Sequence, residues 1–165
     1  MRTEETQTHP TPDAAAEAFR DAKLGAFIHW DMSSLIGGQC SHCRNEYGAE
    51  AYDQLYKRFR GEDFDPEQWA DILANSGFRY VNLVPKHHAG FCLWDTKTSD
   101  YNVMNTPFGR DWLAELIPPL RERGIAIGLY YSILDWYYPC YSTEKGADLT
   151  EYKETLMYPQ LEELL

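Results

Sequence analysis

The stretch Arg79-Tyr80-Val81-Asn82-Leu83-Val84-Pro85 is short and apolar, and it runs directly into Lys86-His87-His88. Such a run predicts a buried strand that ends in polar side chains. Residues 25–30 and residues 125–131 share this design, and the second of these stretches is followed by Ser132. Strands that are apolar along their whole length are typical of a parallel sheet covered on both faces.

Helical signals alternate with these strands. A helix is predicted from Ala14 to Lys23, and helical character returns at residues 49–59. Asp65, Pro66 and Gln68 form a capping pattern for a helix that Gly77 ends. The third helical stretch begins at Asp111, and Pro118-Pro119 is expected to kink or split it. A fourth runs from about Thr150 to Leu165, whereas residues 37–48 and 86–109 are predicted to be loops.

The alternating order implies an α/β fold with parallel strands and crossover helices. No G-x-G-x-x-G follows the first strand, which disfavours a dinucleotide-binding fold and favours a (β/α)8 TIM barrel. A full barrel needs roughly 200–250 residues, and this chain has 165. The sequence therefore predicts the N-terminal portion of an incomplete barrel over residues 14–165, preceded by a flexible tail at residues 1–13.

Composition excludes several partners and sites of action. The net charge of -11 would repel a phosphate backbone, so nucleic acid is not an expected partner. No apolar run reaches the ~18 residues of a membrane span. The segment Met1 to Asp13 lacks the apolar region of a secretory signal, which predicts a cytoplasmic protein. An open sheet also leaves strand edges unpaired, which predicts self-association.

Polar and aromatic side chains collect where the predicted strands end, which is where parallel α/β folds bind ligands. His29, His87 and His88 are candidates to bond sugar hydroxyls or a metal. Aromatic residues make up 15% of the chain, which suits a sugar site or equally a core rich in tyrosine.

A second site is conceivable around four residues in a row, Cys40-Ser41-His42-Cys43, acting with His87 and His88 as a metal or redox centre. One C-x-x-C without a second pair is a weak signal of a metal or redox site. The favoured interpretation is that two loop cysteines lie near each other by chance. With Cys92 and Cys140 they are predicted to be free thiols, and no metal or cofactor is expected.

Several sequence motifs, occurring in a fixed order along the chain, together identify a family. They are Phe19-Arg20-Asp21-Ala22-Lys23-Leu24-Gly25-Ala26-Phe27-Ile28-His29-Trp30, Tyr52-Asp53-Gln54-Leu55-Tyr56-Lys57-Arg58-Phe59, Phe64-Asp65-Pro66-Glu67-Gln68-Trp69-Ala70, Lys86-His87-His88-Ala89-Gly90-Phe91-Cys92-Leu93-Trp94-Asp95, Ser99-Asp100-Tyr101-Asn102, Gly128-Leu129-Tyr130-Tyr131-Ser132 and Asp135-Trp136-Tyr137. From about Ala14 to its C-terminus the chain resembles the retaining alpha-L-fucosidases, glycoside hydrolase family twenty-nine.

The resemblance implies the first part of a (β/α)8 barrel and a glycosidase that removes terminal alpha-L-fucose from a fucosylated glycan or fucoside with retention. It implies that His29, His87 and His88 bond fucose hydroxyls and that Tyr130 lies close to the nucleophile. Ala89 replaces an aspartate that the family usually has. The family also has a glutamate in the loop after the first strand, and either Gln39 or Glu46 matches it.

The resemblance places both catalytic carboxylates beyond Leu165, so no catalytic residue is assigned within the chain. Asp31, Asp95, Asp100 and Asp135 are more simply explained as loop or cap residues. The chain is therefore expected to be an inactive fragment of the enzyme. The alternative is a non-catalytic sugar-binding remnant or pseudoenzyme that keeps only the histidine contacts.

Overall fold

A computed structural model describes residues 12–139 and 148–165. Its helices and strands, in chain order, are α1 Pro12–Ala22, β1 Gly25–Ile28, α2 Cys43–Tyr47, α3 Ala49–Asp53, α4 Pro66–Asn75, β2 Tyr80–Lys86, α5 Trp112–Glu122, β3 Ala126–Tyr131, α6 Thr150–Tyr152 and α7 Tyr158–Leu164. Short 3-10 turns lie at Met32–Ile36, Leu55–Arg58 and Val103–Asn105, and a π-helical turn at Lys153–Met157 joins α6 to α7.

The three strands form one parallel sheet in the order β1-β2-β3. Gly25 pairs with Tyr80, which in turn pairs with Ala126, so the strands begin level with one another. Their carboxyl ends therefore meet at one edge of the sheet. This confirms the predicted α/β class and the parallel arrangement of its strands.

The two faces of the sheet have different surroundings. Val81 and Leu83 of β2 are fully buried on the face that carries the hydrophobic core, together with Leu116 and Leu120 of α5. On the opposite face Phe27 of β1 is 58% exposed. Helix α1 reaches this second face at the start of β2, where the Phe19 and Tyr80 rings are 5.2 Å apart, but Phe27 leaves apolar surface exposed farther along β1.

Much of the aromatic content serves the core. The Trp30 ring lies 4.7 to 5.9 Å from five other aromatic rings, measured between centroids, and these belong to Phe59, Phe64, Trp69, Phe108 and Trp112. Aromatic pairs at such separations add stabilisation beyond the area they bury. Trp30, which follows His29 at the predicted strand end, therefore packs into the core. From the sequence alone, aromatic residues suited a core and a sugar site equally.

Several predicted boundaries were wrong. Residues 37–48 are not all loop, because α2 forms within them, and residues 49–59 are divided between α3 and a 3-10 turn. Pro118 and Pro119 do not split α5, which continues to Glu122. The buried side chains on either side of the prolines hold α5 in the core despite the two missing N–H donors. Asp65 caps α4 as predicted, accepting bonds from the N–H groups of Glu67 and Gln68.

Some sequence predictions lie partly outside the described residues. Residues 1–11 of the predicted tail do, whereas α1 begins at Pro12, inside the segment assigned to that tail. Cys40, Cys43 and Cys92 are free thiols as predicted, and Cys140 is outside the described residues. No helix in the described part is long and apolar enough to cross a membrane.

Self-association is the first testable consequence. β1 and β3 are edge strands within the described sheet, and Phe27 of β1 is exposed, so unpaired strand edges and apolar surface are both available. We expect sedimentation velocity of the 165-residue chain to show concentration-dependent oligomers, and Phe27→Lys to reduce them. A monodisperse monomer over a wide range of concentration would contradict this expectation.

Candidate functional site

Four predicted site residues converge at the carboxyl edge of the sheet. His29 follows β1, His87 and His88 follow β2, and Tyr130 lies near the end of β3. The His87 ring centroid is 4.6 Å from that of His29, 4.1 Å from that of His88 and 5.7 Å from that of Tyr130, with which it is stacked. The structure therefore brings together, as one cluster, residues from three separate parts of the chain.

Two further rings belong to the same cluster. His42 lies 5.2 Å from His88 and 5.9 Å from His87, and Trp136 lies 5.1 Å from His88, all between ring centroids. From the sequence, His42 was a candidate only for the disfavoured metal site, and Trp136 had no assigned role. The loop before α2 folds back over the strand ends, and a fold-back of this kind has no signal in sequence periodicity.

Hydrogen bonds fix the orientation and tautomer of His88. Its Nδ1 lies 2.6 Å from Ser132 Oγ, and that hydroxyl donates to the Leu134 carbonyl at 2.8 Å. A serine hydroxyl has a single proton, so both contacts are satisfied when His88 Nδ1–H is the donor. His88 Nε2 is then unprotonated and can accept a hydrogen bond from a ligand hydroxyl.

The other two predicted histidines, His29 and His87, differ from His88 in their hydrogen bonding. His29 Nε2 and His87 Nδ1 are buried and lack a hydrogen-bond partner in the part of the chain that the structure describes. Burial, followed by the neighbouring imidazole of His88, lowers the pKa of His87 to about 4. Burial also lowers the pKa of His88. These two imidazoles are neutral at pH 7, and a neutral imidazole offers one donor and one acceptor.

A buried ion pair holds the strand ends that carry the cluster. Lys86 Nζ lies 2.8 Å from a carboxylate oxygen of Asp135, and the two side chains are 0% and 3% exposed. The ammonium also contacts the hydroxyls of Tyr131, at the end of β3, and Tyr152, in α6. Because His87 is the next residue after Lys86, this pair fixes where the histidines leave the sheet.

The turn after the two histidines depends on Gly90. Its φ of +79° is in the left-handed region, and a Cβ there would lie 2.4 Å from Asp135 Oδ1. Asp135 also accepts bonds from the backbone N–H groups of Tyr137 and Tyr138. Ala89, the departure from the family pattern, is buried in the same turn. The loop keeps its shape through Gly90 and Asp135.

The two buried acids among the four considered from the sequence, Asp31 and Asp135, have structural roles. Asp31 caps the 3-10 turn Met32–Ile36 and accepts a further bond from the Ser41 hydroxyl at 3.1 Å. Asp135 is held by Lys86. Neither Gln39 nor Glu46 is buried, so burial does not single out one of them as the match to the family's glutamate.

Removing the charge of Asp135 tests the ion pair. Asp135→Asn keeps an oxygen for the turn but leaves the Lys86 ammonium buried without a counter-charge. We expect the free energy of unfolding in urea to fall by about 3–5 kcal/mol. Adding Lys86→Met should recover much of that loss. A double variant no more stable than Asp135→Asn alone would contradict this role for the pair.

The lowered pKa of His87 predicts a pH dependence. His87 binds a proton near pH 6.5 in the unfolded chain but only near pH 4 in the folded chain. Its neutral form therefore contributes its full stabilisation above pH 6.5, and this contribution is lost as the pH falls towards 4. In metal-free buffer, wild type should lose more unfolding free energy between about pH 7 and about pH 5 than His87→Gln does. Equal losses would show that His87 titrates normally in the folded state.

Comparison with known proteins gives the same family as the sequence motifs. The sequence model of the family described as Alpha-L-fucosidase matches residues 2–165. Human tissue alpha-L-fucosidase is 32% identical over 89% of this chain and 36% of its own length. The chain thus spans little more than a third of the length of that relative.

Solved structures agree. A family twenty-nine alpha-L-fucosidase from Bacteroides thetaiotaomicron is 33% identical, with a TM-score of 0.81, over 96% of this chain and 40% of that protein. An alpha-L-fucosidase from Lactobacillus casei is 26% identical, with a TM-score of 0.79, over 90% of this chain and 56% of that protein. The chain therefore belongs to the alpha-L-fucosidase family, glycoside hydrolase family twenty-nine, and corresponds to the N-terminal part of its members.

Proposed function

We propose that this chain is the fucose-binding part of a retaining alpha-L-fucosidase, in which His29, His87, His88 and Tyr130 hold the terminal sugar. The observation that carries the proposal is the convergence of three imidazoles and one phenol at the carboxyl ends of three adjacent parallel strands. That edge of the sheet is where parallel α/β folds bind their ligands.

The chemistry of the cluster suits a sugar. A pyranose presents hydroxyls that donate and accept hydrogen bonds, and neutral imidazoles match both functions. His88 Nε2 is available as an acceptor, while His29 Nε2 and His87 Nδ1 are buried atoms that still lack a partner among the described residues. A sugar hydroxyl would satisfy each of them and remove the cost of leaving it unpaired. The aromatic face of Trp136 suits the C–H surface of the ring.

Two relatives support the choice of sugar and mechanism. The structure of the Bacteroides thetaiotaomicron enzyme is described as a trapped covalent intermediate in complex with 2-fluoro-fucosyl fluoride. A covalent glycosyl-enzyme is the intermediate of retaining hydrolysis. The Lactobacillus casei enzyme is described in complex with its alpha-L-fucose product. We extend both the fucoside substrate and the retaining outcome to the protein that contains this chain.

The proposal includes a complete barrel around the site. The three-stranded sheet has the alternating order of a (β/α)8 barrel, and residues 14–165 would form its N-terminal part. The exposed Phe27 and the neighbouring Tyr130, whose ring centroids are 5.8 Å apart, would then face the barrel interior. Further strands would cover this face and complete the site.

Retaining hydrolysis requires two carboxyl groups about 5–5.5 Å apart. One attacks the anomeric carbon, and the other protonates the leaving oxygen and later activates water. Asp31 and Asp135 are buried near the cluster, but each is already bound by its own neighbours. We therefore assign sugar positioning to this chain and the two catalytic carboxylates to other parts of the enzyme.

Binding of the free sugar tests the positioning role. L-Fucose should bind the chain weakly by saturation-transfer NMR, and its enantiomer D-fucose should not. His29→Ala and His88→Ala should each weaken binding, because a lost hydrogen bond to a buried hydroxyl costs roughly 1–3 kcal/mol. Asp63→Ala, an exposed substitution away from the cluster, is the control. Unchanged L-fucose binding in both histidine variants would remove these residues from the site.

Hydrolysis tests the assignment of the carboxylates. We expect the purified chain to release no product from a chromogenic aryl alpha-L-fucoside, since imidazoles and phenols cannot replace the carboxylate pair. Tyr130→Phe serves to detect contaminating host enzyme, whose activity it would not change. Turnover that follows the purified chain and falls in Tyr130→Phe would mean that an acid within the chain does the chemistry.

A further inference from the structure

Three imidazoles from two loops lie close enough to share one ion. His42 precedes α2, and His87 and His88 follow β2; one ligand atom from each lies within 4.8 Å of the other two. We propose that His42, His87 and His88 bind one Zn²⁺ ion through imidazole nitrogens, with a fourth position open to water. The metal site considered from the sequence included Cys40 and Cys43. The group of histidines that converges in the structure contains neither of them.

Two of the three ring separations are close to those of a zinc site. A Zn–N bond of about 2.0–2.1 Å in a tetrahedral site places the centroids of two ligating imidazoles roughly 5 Å apart. The His42 centroid is 5.2 Å from that of His88 and 5.9 Å from that of His87. The His87 and His88 centroids are 4.1 Å apart, so these rings would have to separate by roughly 1 Å. Side-chain rotation can supply a movement of this size.

Hydrogen bonds leave the required lone pairs free. His88 Nδ1 donates to Ser132, so Nε2 presents its lone pair to a ligand. His42 Nδ1 is 3.0 Å from Cys40 Sγ, and when Nδ1–H donates to the sulfur, Nε2 of that ring also presents its lone pair. Histidines that ligate metals commonly engage their second nitrogen in this way, which orients the ring before the ion arrives. Cys40 and Ser132 are thus orienting partners and not ligands.

The surroundings also favour a cation. The chain has a net charge of -11, which raises the local concentration of cations. His42 is exposed, so an ion can enter from solvent. Three imidazoles are borderline-soft ligands that suit Zn²⁺, Ni²⁺ or Cu²⁺, whereas Ca²⁺ and Mg²⁺ require oxygen. The ligands therefore favour Zn²⁺, Ni²⁺ or Cu²⁺. Of these we choose Zn²⁺, because it has no redox chemistry and so needs no redox partner.

Metal and sugar would compete for this site. His87 and His88 belong to both sets of residues, and a nitrogen that ligates Zn²⁺ cannot accept a bond from a hydroxyl at the same time. This consequence rests on the proposed fucose site, whereas the zinc site itself does not. Zn²⁺ would then act as an inhibitor of the enzyme that contains this chain.

Titration of Zn²⁺ into the chelator-treated chain tests the site by calorimetry, in the presence of a phosphine reductant. We expect one ion per chain, with binding weakened at least about tenfold in His42→Ala and in His88→Ala. Asp63→Ala, an exposed substitution away from the cluster, is the control and should keep the wild-type affinity. Wild-type affinity in His42→Ala would overturn the proposal.

Two further measurements distinguish a histidine site from a thiolate site. The double variant Cys40→Ser/Cys43→Ser should keep its zinc, and Co²⁺ bound to wild type should show visible d–d bands without thiolate charge transfer. Loss of zinc from that variant with an unchanged circular dichroism spectrum, or a thiolate band, would overturn the histidine site.

Saturating L-fucose should weaken Zn²⁺ binding. If L-fucose does not bind at all, the fucose site fails while the zinc titration is unaffected.

Discussion

The buried pair between Lys86 and Asp135 is the constraint on which the site depends. A lysine ammonium without exposed surface requires a counter-charge and further acceptors, and here it has Asp135 together with the hydroxyls of Tyr131 and Tyr152. These partners come from the end of β3, the loop after it and α6. One interaction therefore ties together three segments that no local signal would bring into contact, at the residue directly before His87.

The same pair explains how the loop tolerates its departure from the family pattern. Asp135 occupies the space that a side chain at position 90 would need, and it caps the backbone of the turn after β3. The polar support missing at Ala89 therefore does not leave the turn without a carboxylate. The histidines are oriented by Ser132 and by their packing against one another, and both effects follow once the strand ends are in place.

The sequence predicted the elements better than their contacts. Apolar runs that end in polar residues located β1, β2 and β3 to within about two residues, because strand burial is a local pattern. His29, His87, His88 and Tyr130 followed from that placement and from the family motifs. The contribution of His42 did not, because it depends on a loop that folds back over the sheet. The destination of Trp30 was also unpredictable, because the same ring suits a core or a sugar site.

Ring nitrogen spectra of the histidines test the central claim, that three strand ends form one fucose-binding face. In long-range ¹H–¹⁵N correlation spectra of the chain, His88 should be the Nδ1–H tautomer before sugar is added. Signals of His29, His87 and His88 should then move together on one binding curve with L-fucose and stay fixed with D-fucose. Signals that stay fixed with L-fucose, or that follow separate binding curves, would contradict a single shared site.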